Sequence, residues 1–587
     1  MKKPEPNKLL EQLKQRKNWW AAVKKLVVNT GIPEVLLVAS LCIARYLENS
    51  DFSYPSEIIL NIVLLAVPVL IVFGIYRLLL KDALAAHVAA LPMSYMLYAY
   101  SYGWGWLRQI VGKLTPGGLT SFEHAVWQVV CLFILFGLVG FGVKLLNTKT
   151  PIQKLPLLKL LIFVICFVFA SQAIKVALRL WDIRRDLSYS STSTLGQPKR
   201  AAASKPNVYY FVFDRYANQD TLQNIYGYDN SAFLQNLQND GFVLRGNDAY
   251  SNYPFTTQSV SSTLSAGYLK DLGDKFKNSS VGFQTAFPYR SILNDSPVTK
   301  AFQSSGYQYN QVSSWWDFTR IIPGADTNPS KSFRLRLLGH NYWATDLQRD
   351  IINKSILSPI LLKGISLSKT TIVQYQLDRS PTQNFYAQKE AISNIAKDSA
   401  TQTKPQLTVA HFLSPHDPYV FDADGNPVKY SQDRNDWGKD EYDKYVAQLT
   451  FINSQITEMS NTIRSRDPNA IIIIQSDEGP YPKSFRGTLK NGHFYNPAKL
   501  SLPEMRQKFG VLAAYYLPGK DPEEVTANMT SSVNTFRYIL NDYLGYDLPM
   551  LPDCQFSAGN KFNLFTYQLV SGKLRGTAEP DACNAYQ

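Results

Sequence analysis

The chain has 587 residues, of which 45% are hydrophobic and 18% charged, with 60 Lys and Arg against 46 Asp and Glu for a formal net charge of +14. That length exceeds one ordinary domain, and two unlike parts are expected. The first 206 residues hold 24 Lys and Arg against 10 Asp and Glu, leaving 36 of each downstream. The basic balance therefore belongs to a membrane region and excludes a nucleic-acid-binding reading.

Residues 1–30 are basic and polar, and 31–181 carry five apolar spans, roughly Ile32–Arg45, Ile58–Leu80, Ala83–Trp106, His124–Leu146 and Leu157–Trp181. Most reach the ~20 residues that cross a bilayer. The first is the shortest, with Glu34 and Arg45 near its ends, so four spans is the fallback. Lys2, Lys3, Lys8, Lys14, Arg16, Lys17, Lys24 and Lys25 precede the first span, and Lys144, Lys149, Lys154 and Lys159 flank the fourth connection. Both groups are expected on the cytoplasmic side. The first connection, "ENSDFSYPSE", has only acids. Arg108 and Lys113 in the third connection fit this orientation less well. An odd number of spans places everything after Trp181 outside the cytoplasmic membrane of a multi-pass protein. No cleavable leader is expected, since the first 30 residues have no leading apolar core and the first span serves as an uncleaved anchor. Cys42, Cys131 and Cys166 lie in spans, whereas Cys554 and Cys583 lie in the exported part, where one disulfide and two free thiols are both open.

Residues 182–206 read as a juxtamembrane helix and linker. Arg179, Arg184 and Arg185 interleave with Trp181, Ile183 and Leu187, and "YSSTSTLGQPKRAAASKP" is small, polar and proline-bounded. From Asn207, residues 207–587 alternate short apolar runs with helical periodicity. "NVYYFVFD" is a buried strand, "SAFLQNLQNDGF" a helix stopped by Gly241, "QLTVAHFL" a strand, Asp443–Arg464 a long amphipathic helix and "AIIIIQS" a strand apolar on both faces. This order predicts an α/β domain with a mostly parallel sheet covered by helices. Ligands in such sheets gather at the carboxyl ends of the strands.

Four polar clusters fall at those ends. Asp214 closes the first strand; His416 follows the second in "SPHDPY"; Asp477 and Glu478 close "AIIIIQS"; His493 sits in "KNGHFY". A fifth is "SNYPFTTQSVSSTLSAGYL", a proline loop entering a helix rich in small hydroxyls. Singly, each has a structural explanation as a cap, an ion pair or a packed side chain. Together they form a metal-assisted transfer site. Carboxylates around an open-sided divalent cation lower the pKa of a threonine hydroxyl, and the helix N-terminus attracts an anionic phosphate or sulfate.

The order strand–Asp, "T-x-x-S" opening a helix, "SPHxPY" and "SD-x-G" resembles the sulfatase-like branch of the alkaline phosphatase superfamily, over Asn207 to about Leu551. The membrane spans add a resemblance in architecture to lipoteichoic acid synthases and phosphoethanolamine transferases. The resemblance implies Asp214 and Asp477 as metal ligands, Thr256 as nucleophile and further ligand, Ser259 as the serine three residues on, and His416 and His493 as contacts to the substrate's phosphate. Thr257 competes with Thr256, one residue short of that spacing, and His411 reads as part of its strand. Glu478 stands where these relatives carry a histidine ligand. Retained as a ligand, it makes the site harder, favouring Mn²⁺, Mg²⁺ or Ca²⁺ with Zn²⁺ still an option.

The expected function is a membrane-anchored, metal-dependent phosphoryl-group transferase or hydrolase acting outside the cytoplasmic membrane. Its expected partners are a membrane phospholipid donor and an envelope glycan or lipid acceptor. A phosphodiesterase, phosphatase or sulfatase-like hydrolase is the alternative, and an inactive envelope-binding scaffold the third reading. Trp315 and Trp316 read as core before pocket, and "FDADGNP" as a plain turn.

Overall fold

The computed structural model describes residues 29–48, 56–95, 98, 139–146, 148, 151–187, 194–278, 287–330, 335–337, 340–342, 346–355, 362, 364–367, 370–375, 380–428, 441–482, 484 and 499–560, with 563–587. The basic residues 1–28, most of the fourth expected span and His493 lie outside this set. Two compact units emerge. One joins Met1–Asp182 with Phe333–Leu377, and the other joins Ile183–Ser332 with Asp378–Gln587. Within residues 207–587, the segment Phe333–Leu377 groups with the N-terminal unit.

In the N-terminal unit, α1 (Ile32–Glu48) and α2 (Ser56–Leu80) pack together, followed by α3 (Ala83–Tyr95) and α4 (Pro151–Leu187), which continues past the unit's end. Two stretches are long and apolar enough to cross a membrane, Asn61–Leu80 and Lys159–Leu178. Five spans are therefore not confirmed: α1 has 17 residues and α3 is a shorter apolar helix among the described residues. Leucine, isoleucine and valine side chains along α2, including Ile59, Val63, Val67, Ile71, Ile75 and Leu78, are exposed, as a lipid-facing helix requires. The segment Phe333–Leu377 forms a small antiparallel sheet with a helix, Asp346–Lys354, that packs on α1, where Asp350 faces Arg45 at 3.8 Å.

The second unit is built on a six-stranded sheet. Its strands are β1 (Val208–Phe213), β2 (Val243–Leu244), β3 (Gln308–Val312), β4 (Gln406–Phe412), β5 (Ile471–Gln475) and β6 (Ala513–Tyr516), in the order β2-β6-β5-β1-β4-β3. The pairs β1/β4, β1/β5 and β3/β4 are parallel, and β6 runs antiparallel to β5 and β2. β1 and β5 are central and covered on both faces, hence their unbroken apolar runs; Ile471 to Ile474 are each fully buried. Each such isoleucine contributes ~1.5–3 kcal/mol by leaving water. Helices α6 (Pro381–Lys397) and α7 (Glu441–Arg466) cover the sheet through an aromatic core in which Phe213 stacks on Phe412 at 4.8 Å. Helix α5 (Thr256–Ser265) is buried almost throughout. Its serines suit that burial because their hydroxyls find carbonyls: Ser261 donates to Tyr289 at 3.2 Å and Ser265 to Ser261 at 2.7 Å.

The stretch expected as a flexible linker is docked from Lys199 onward. The N–H groups of Lys199 and Arg200 donate to Gly545 and that of Ala203 to Tyr543, at the C-terminus of α9 (Asn534–Leu544). Its small side chains allow a close approach that composition alone reads as looseness. Before α9 comes α8 (Leu502–Phe509), the helix leading into β6.

Cys554 and Cys583, both fully buried, form a disulfide with Cα atoms 5.7 Å apart. It closes a loop of sequence separation 29, so Cys583→Ser is expected to cost about 3–4 kcal/mol, read as a lower denaturation midpoint that reductant reproduces in the wild type.

Candidate active site

Three strand ends meet at one edge of the sheet. Asp214 follows β1, with its N–H donating to Phe412 at 2.9 Å while its carbonyl accepts from His416 at 3.1 Å. Ser476 follows β5, and its hydroxyl accepts from the Tyr216 N–H at 2.9 Å and donates to the Glu478 carbonyl at 2.9 Å. These bonds stitch the ends together.

One ligand atom each from Asp214, His411 and Asp477 lies within 4.8 Å of the others, and all three residues are buried. Asp214 Oδ1, His411 Nε2 and both Asp477 carboxylate oxygens have no hydrogen-bond partner. Four orphaned polar atoms converging in a buried space are costly unless an ion satisfies them, and two carboxylates with an imidazole are a suitable donor set. The residues present therefore fit a divalent metal.

His411, read from the sequence as part of its strand, supplies the nitrogen. It pairs in register with Val212, one turn of the pleat before Asp214, and its Nδ1 lies 2.8 Å from Thr319 Oγ1. Donation from Nδ1–H to that hydroxyl leaves the Nε2 lone pair facing the carboxylates, 3.8 Å from Asp214 Oδ2. Burial, reinforced by His416, pushes the His411 pKa down to about 3, so the ring is neutral. Trp316 meets its edge at 6.2 Å. The signal available in the sequence was a polar ring in an otherwise apolar strand of a sheet whose neighbouring strand ends in Asp.

The carboxyls move the other way. Burial first, then the charge of Asp477, raises Asp214 well above the usual range, and burial with Glu478 pushes Asp477 up to about 7. The Thr256 hydroxyl lies near enough to hold Asp477 down somewhat, although outside hydrogen-bonding geometry. Thr256 is the first residue of α5, at a terminus with no side-chain cap. The hydroxyl of Ser259 donates to the Tyr253 carbonyl at 2.8 Å, which fixes the entry loop. His416, three-quarters buried, has its Nδ1 against the Asp417 carbonyl, and burial with the nearby Arg215 charge lowers its pKa to about 4.

Glu478, expected as a metal ligand, is not one of these three, although its Oε2 is likewise buried without a hydrogen-bond partner. Its Oε1 accepts from Arg215 Nε at 3.0 Å and pairs with Lys508 Nζ at 2.9 Å. Gly479 then lets the chain turn under α8: a Cβ there would meet the Gln507 carbonyl at 2.0 Å and the Gly510 carbonyl at 2.9 Å. Gly479→Ala is accordingly expected to destabilise the fold by ~1–3 kcal/mol or more, measured by chemical denaturation, because only backbone surrounds the new methyl.

A parallel sheet with a nucleophile candidate at a helix N-terminus and metal donors at its strand ends defines an alkaline-phosphatase-like enzyme. The sulfatase family model matches residues 206–541, more than half of the chain, and the protein belongs to that family as a sulfatase-like hydrolase or transferase. No curated relative matches by sequence. Similar solved structures include the zinc complex of the C-terminal periplasmic domain of EptC from Escherichia coli, 10% identical, covering 65% of this chain and 100% of that one at a TM-score of 0.37. The soluble domain of lipooligosaccharide phosphoethanolamine transferase A from Neisseria meningitidis is 12% identical, covering 60% and 90% at 0.35. The lipoteichoic acid synthase LtaP from Listeria monocytogenes is 11% identical, covering 64% and 88% at 0.36.

Proposed function

We propose that the protein is a membrane-anchored phosphoryl-group transferase whose nucleophile is Thr256. The observation that carries this is the placement of Thr256 at an uncapped helix N-terminus near Asp477, a member of the Asp214, His411 and Asp477 cluster. Asp214, His411 and Asp477 would hold one divalent ion. A nitrogen among the donors favours Mn²⁺ or Zn²⁺ over the Mg²⁺ and Ca²⁺ suggested by an all-carboxylate set. Such an ion, when bound, supplies a lowered hydroxyl pKa and positive charge for developing oxyanions.

The remaining steps belong to the chain. Thr256 Oγ gives up its proton and bonds to phosphorus as the P–O bond to diacylglycerol breaks and diacylglycerol leaves with a proton; the acceptor oxygen then bonds to phosphorus as the Thr256 Oγ–P bond breaks and the threonine regains its proton. The N–H groups opening α5 face the anionic group. His416, neutral and donating from Nδ1 toward Asp417, keeps its Nε2 lone pair to take the proton of the acceptor hydroxyl. The acceptor is an envelope glycan or lipid, and the site acts outside the cytoplasmic membrane.

The test is diacylglycerol release by the metal-replete full chain in detergent from phosphatidylglycerol and phosphatidylethanolamine, beside an aryl phosphodiester and an aryl sulfate. Release from either lipid supports the reading. Turnover of the aryl esters with neither lipid consumed would replace it by a hydrolase acting on soluble esters.

A further inference from the structure

The residue next to Asp477 organises a second charged group beside the metal donors. Glu478, 2% exposed, holds Arg215 Nε at 3.0 Å and Lys508 Nζ at 2.9 Å through one oxygen. The Tyr481 ring supports both cations, with the Arg215 guanidinium carbon 3.7 Å and Lys508 Nζ 3.9 Å from its centroid. Lys508 is fully buried and also donates to the Gly479 carbonyl at 3.1 Å, so it is spent on holding this turn.

Arg215 differs. Its Nη1 donates to Asp417 Oδ1 at 2.8 Å, beside His416, and its Nε is taken by Glu478. Among the described residues Nη2 has no hydrogen-bond partner, and the side chain keeps 11% of its surface open. Two of its three nitrogens are thus anchored and one is left over. Its backbone sits at φ 60°, a left-handed conformation that costs a non-glycine residue ~1 kcal/mol or more. Tyr445 holds the main chain there, its hydroxyl donating to the Arg215 carbonyl at 2.8 Å and accepting from the Ala217 N–H at 3.2 Å. A strained residue fixed from both sides, directly after a metal-ligand candidate, marks a placed guanidinium. Its charge is felt by both Asp214 and His416.

We propose that Arg215 is a substrate-contacting residue whose free Nη2 binds a non-bridging oxygen of the tetrahedral oxyanion being transferred, and that Glu478 is its positioning residue and no metal ligand. The inference rests on the transferase reading for what the oxyanion belongs to. The guanidinium fork suits this task, since two nitrogens lock the plane and the third is aimed by geometry.

The test uses the full chain in detergent loaded with Mn²⁺, with inorganic phosphate as probe. Titration calorimetry gives phosphate affinity, elemental analysis gives metal occupancy, and an aryl phosphodiester gives kcat and KM. Arg215→Gln is expected to weaken phosphate tenfold or more with metal affinity within twofold. Arg215→Lys, which keeps the charge and loses the fork, should weaken phosphate several-fold and serves if the glutamine variant does not fold. Glu478→Gln should keep metal affinity within twofold and weaken phosphate several-fold. Wild-type phosphate affinity in both Arg215 variants, or no phosphate binding by the wild type, would overturn the clamp. A tenfold loss of metal in Glu478→Gln would return Glu478 to the metal. A wild type that binds phosphate through Arg215 but transfers no lipid headgroup would sink the transferase reading alone.

Discussion

Thr256→Ala is expected to lower turnover by about three orders of magnitude or more while metal affinity changes less than tenfold. Thr256 is nine-tenths buried at the first position of α5, and alanine suits a helix there, so the fold should tolerate the change. Asp214, His411 and Asp477 remain as donors, which limits the effect on the metal even if the threonine oxygen also ligates it. Thr256→Ser keeps a nucleophile and should retain measurable turnover. Thr257→Ala separates the two adjacent hydroxyls, and it should stay within a few-fold of wild type. Initial rates on an aryl phosphodiester decide the matter, with mass spectrometry of the Asn252-containing peptide to locate the trapped phosphoryl group. Full loss in Thr257→Ala with an active Thr256→Ala would move the nucleophile by one residue.

The sheet was legible because β1, β4 and β5 are central, and a strand covered on both faces writes itself as an unbroken apolar run. Asp214 and Asp477 were singled out by the rule that ligands collect where such strands end. His411 was not, because its place depends on register: the pairing of β4 beside β1 sets it opposite Val212, with its Nε2 3.8 Å from Asp214 Oδ2. The ion pairs of Glu478 were hidden for a related reason. Adjacent residues leaving a strand face different ways, so Asp477 turns to the metal donors while Glu478 turns to Arg215 and Lys508, which lie 263 and 30 positions away in sequence. The docked segment after Lys199 was hidden by its composition, since a string of alanines offers neither periodicity nor charge to announce a partner. The grouping of Phe333–Leu377 with the N-terminal unit left no mark in the sequence, because chain connectivity says nothing about which unit a segment packs with.

Asp477→Asn should make the metal-free protein more stable than wild type at neutral pH, and with metal present the order should reverse. Burial and the Glu478 charge push Asp477 up to about 7 in the folded chain, against 3.8 for the carboxyl's ordinary value. Between those pH values the folded state holds a proton that the unfolded state has released, so stability falls as pH rises through the window. The loss is on the order of 4 kcal/mol by pH 7. His411 and His416 run in the opposite sense, their pKa values lowered to about 3 and about 4, and they add stability as pH rises toward the ordinary histidine value of 6.5. Asp214, raised by burial and by the charge of Asp477, runs in the same sense as Asp477, so the gap between wild type and Asp477→Asn reports the coupled carboxyl pair. That gap should be near zero at pH 4 and widen to several kcal/mol by pH 7. Metal binding displaces the proton and converts the same buried charge into affinity, which Asn cannot match. Urea denaturation of both proteins at pH 4.5 and 7.5, with chelator and with saturating Mn²⁺, measures all four corners. A gap that stays constant with pH, or a variant stabilised by metal as much as wild type, would mean that Asp477 is not the ionising donor of the site.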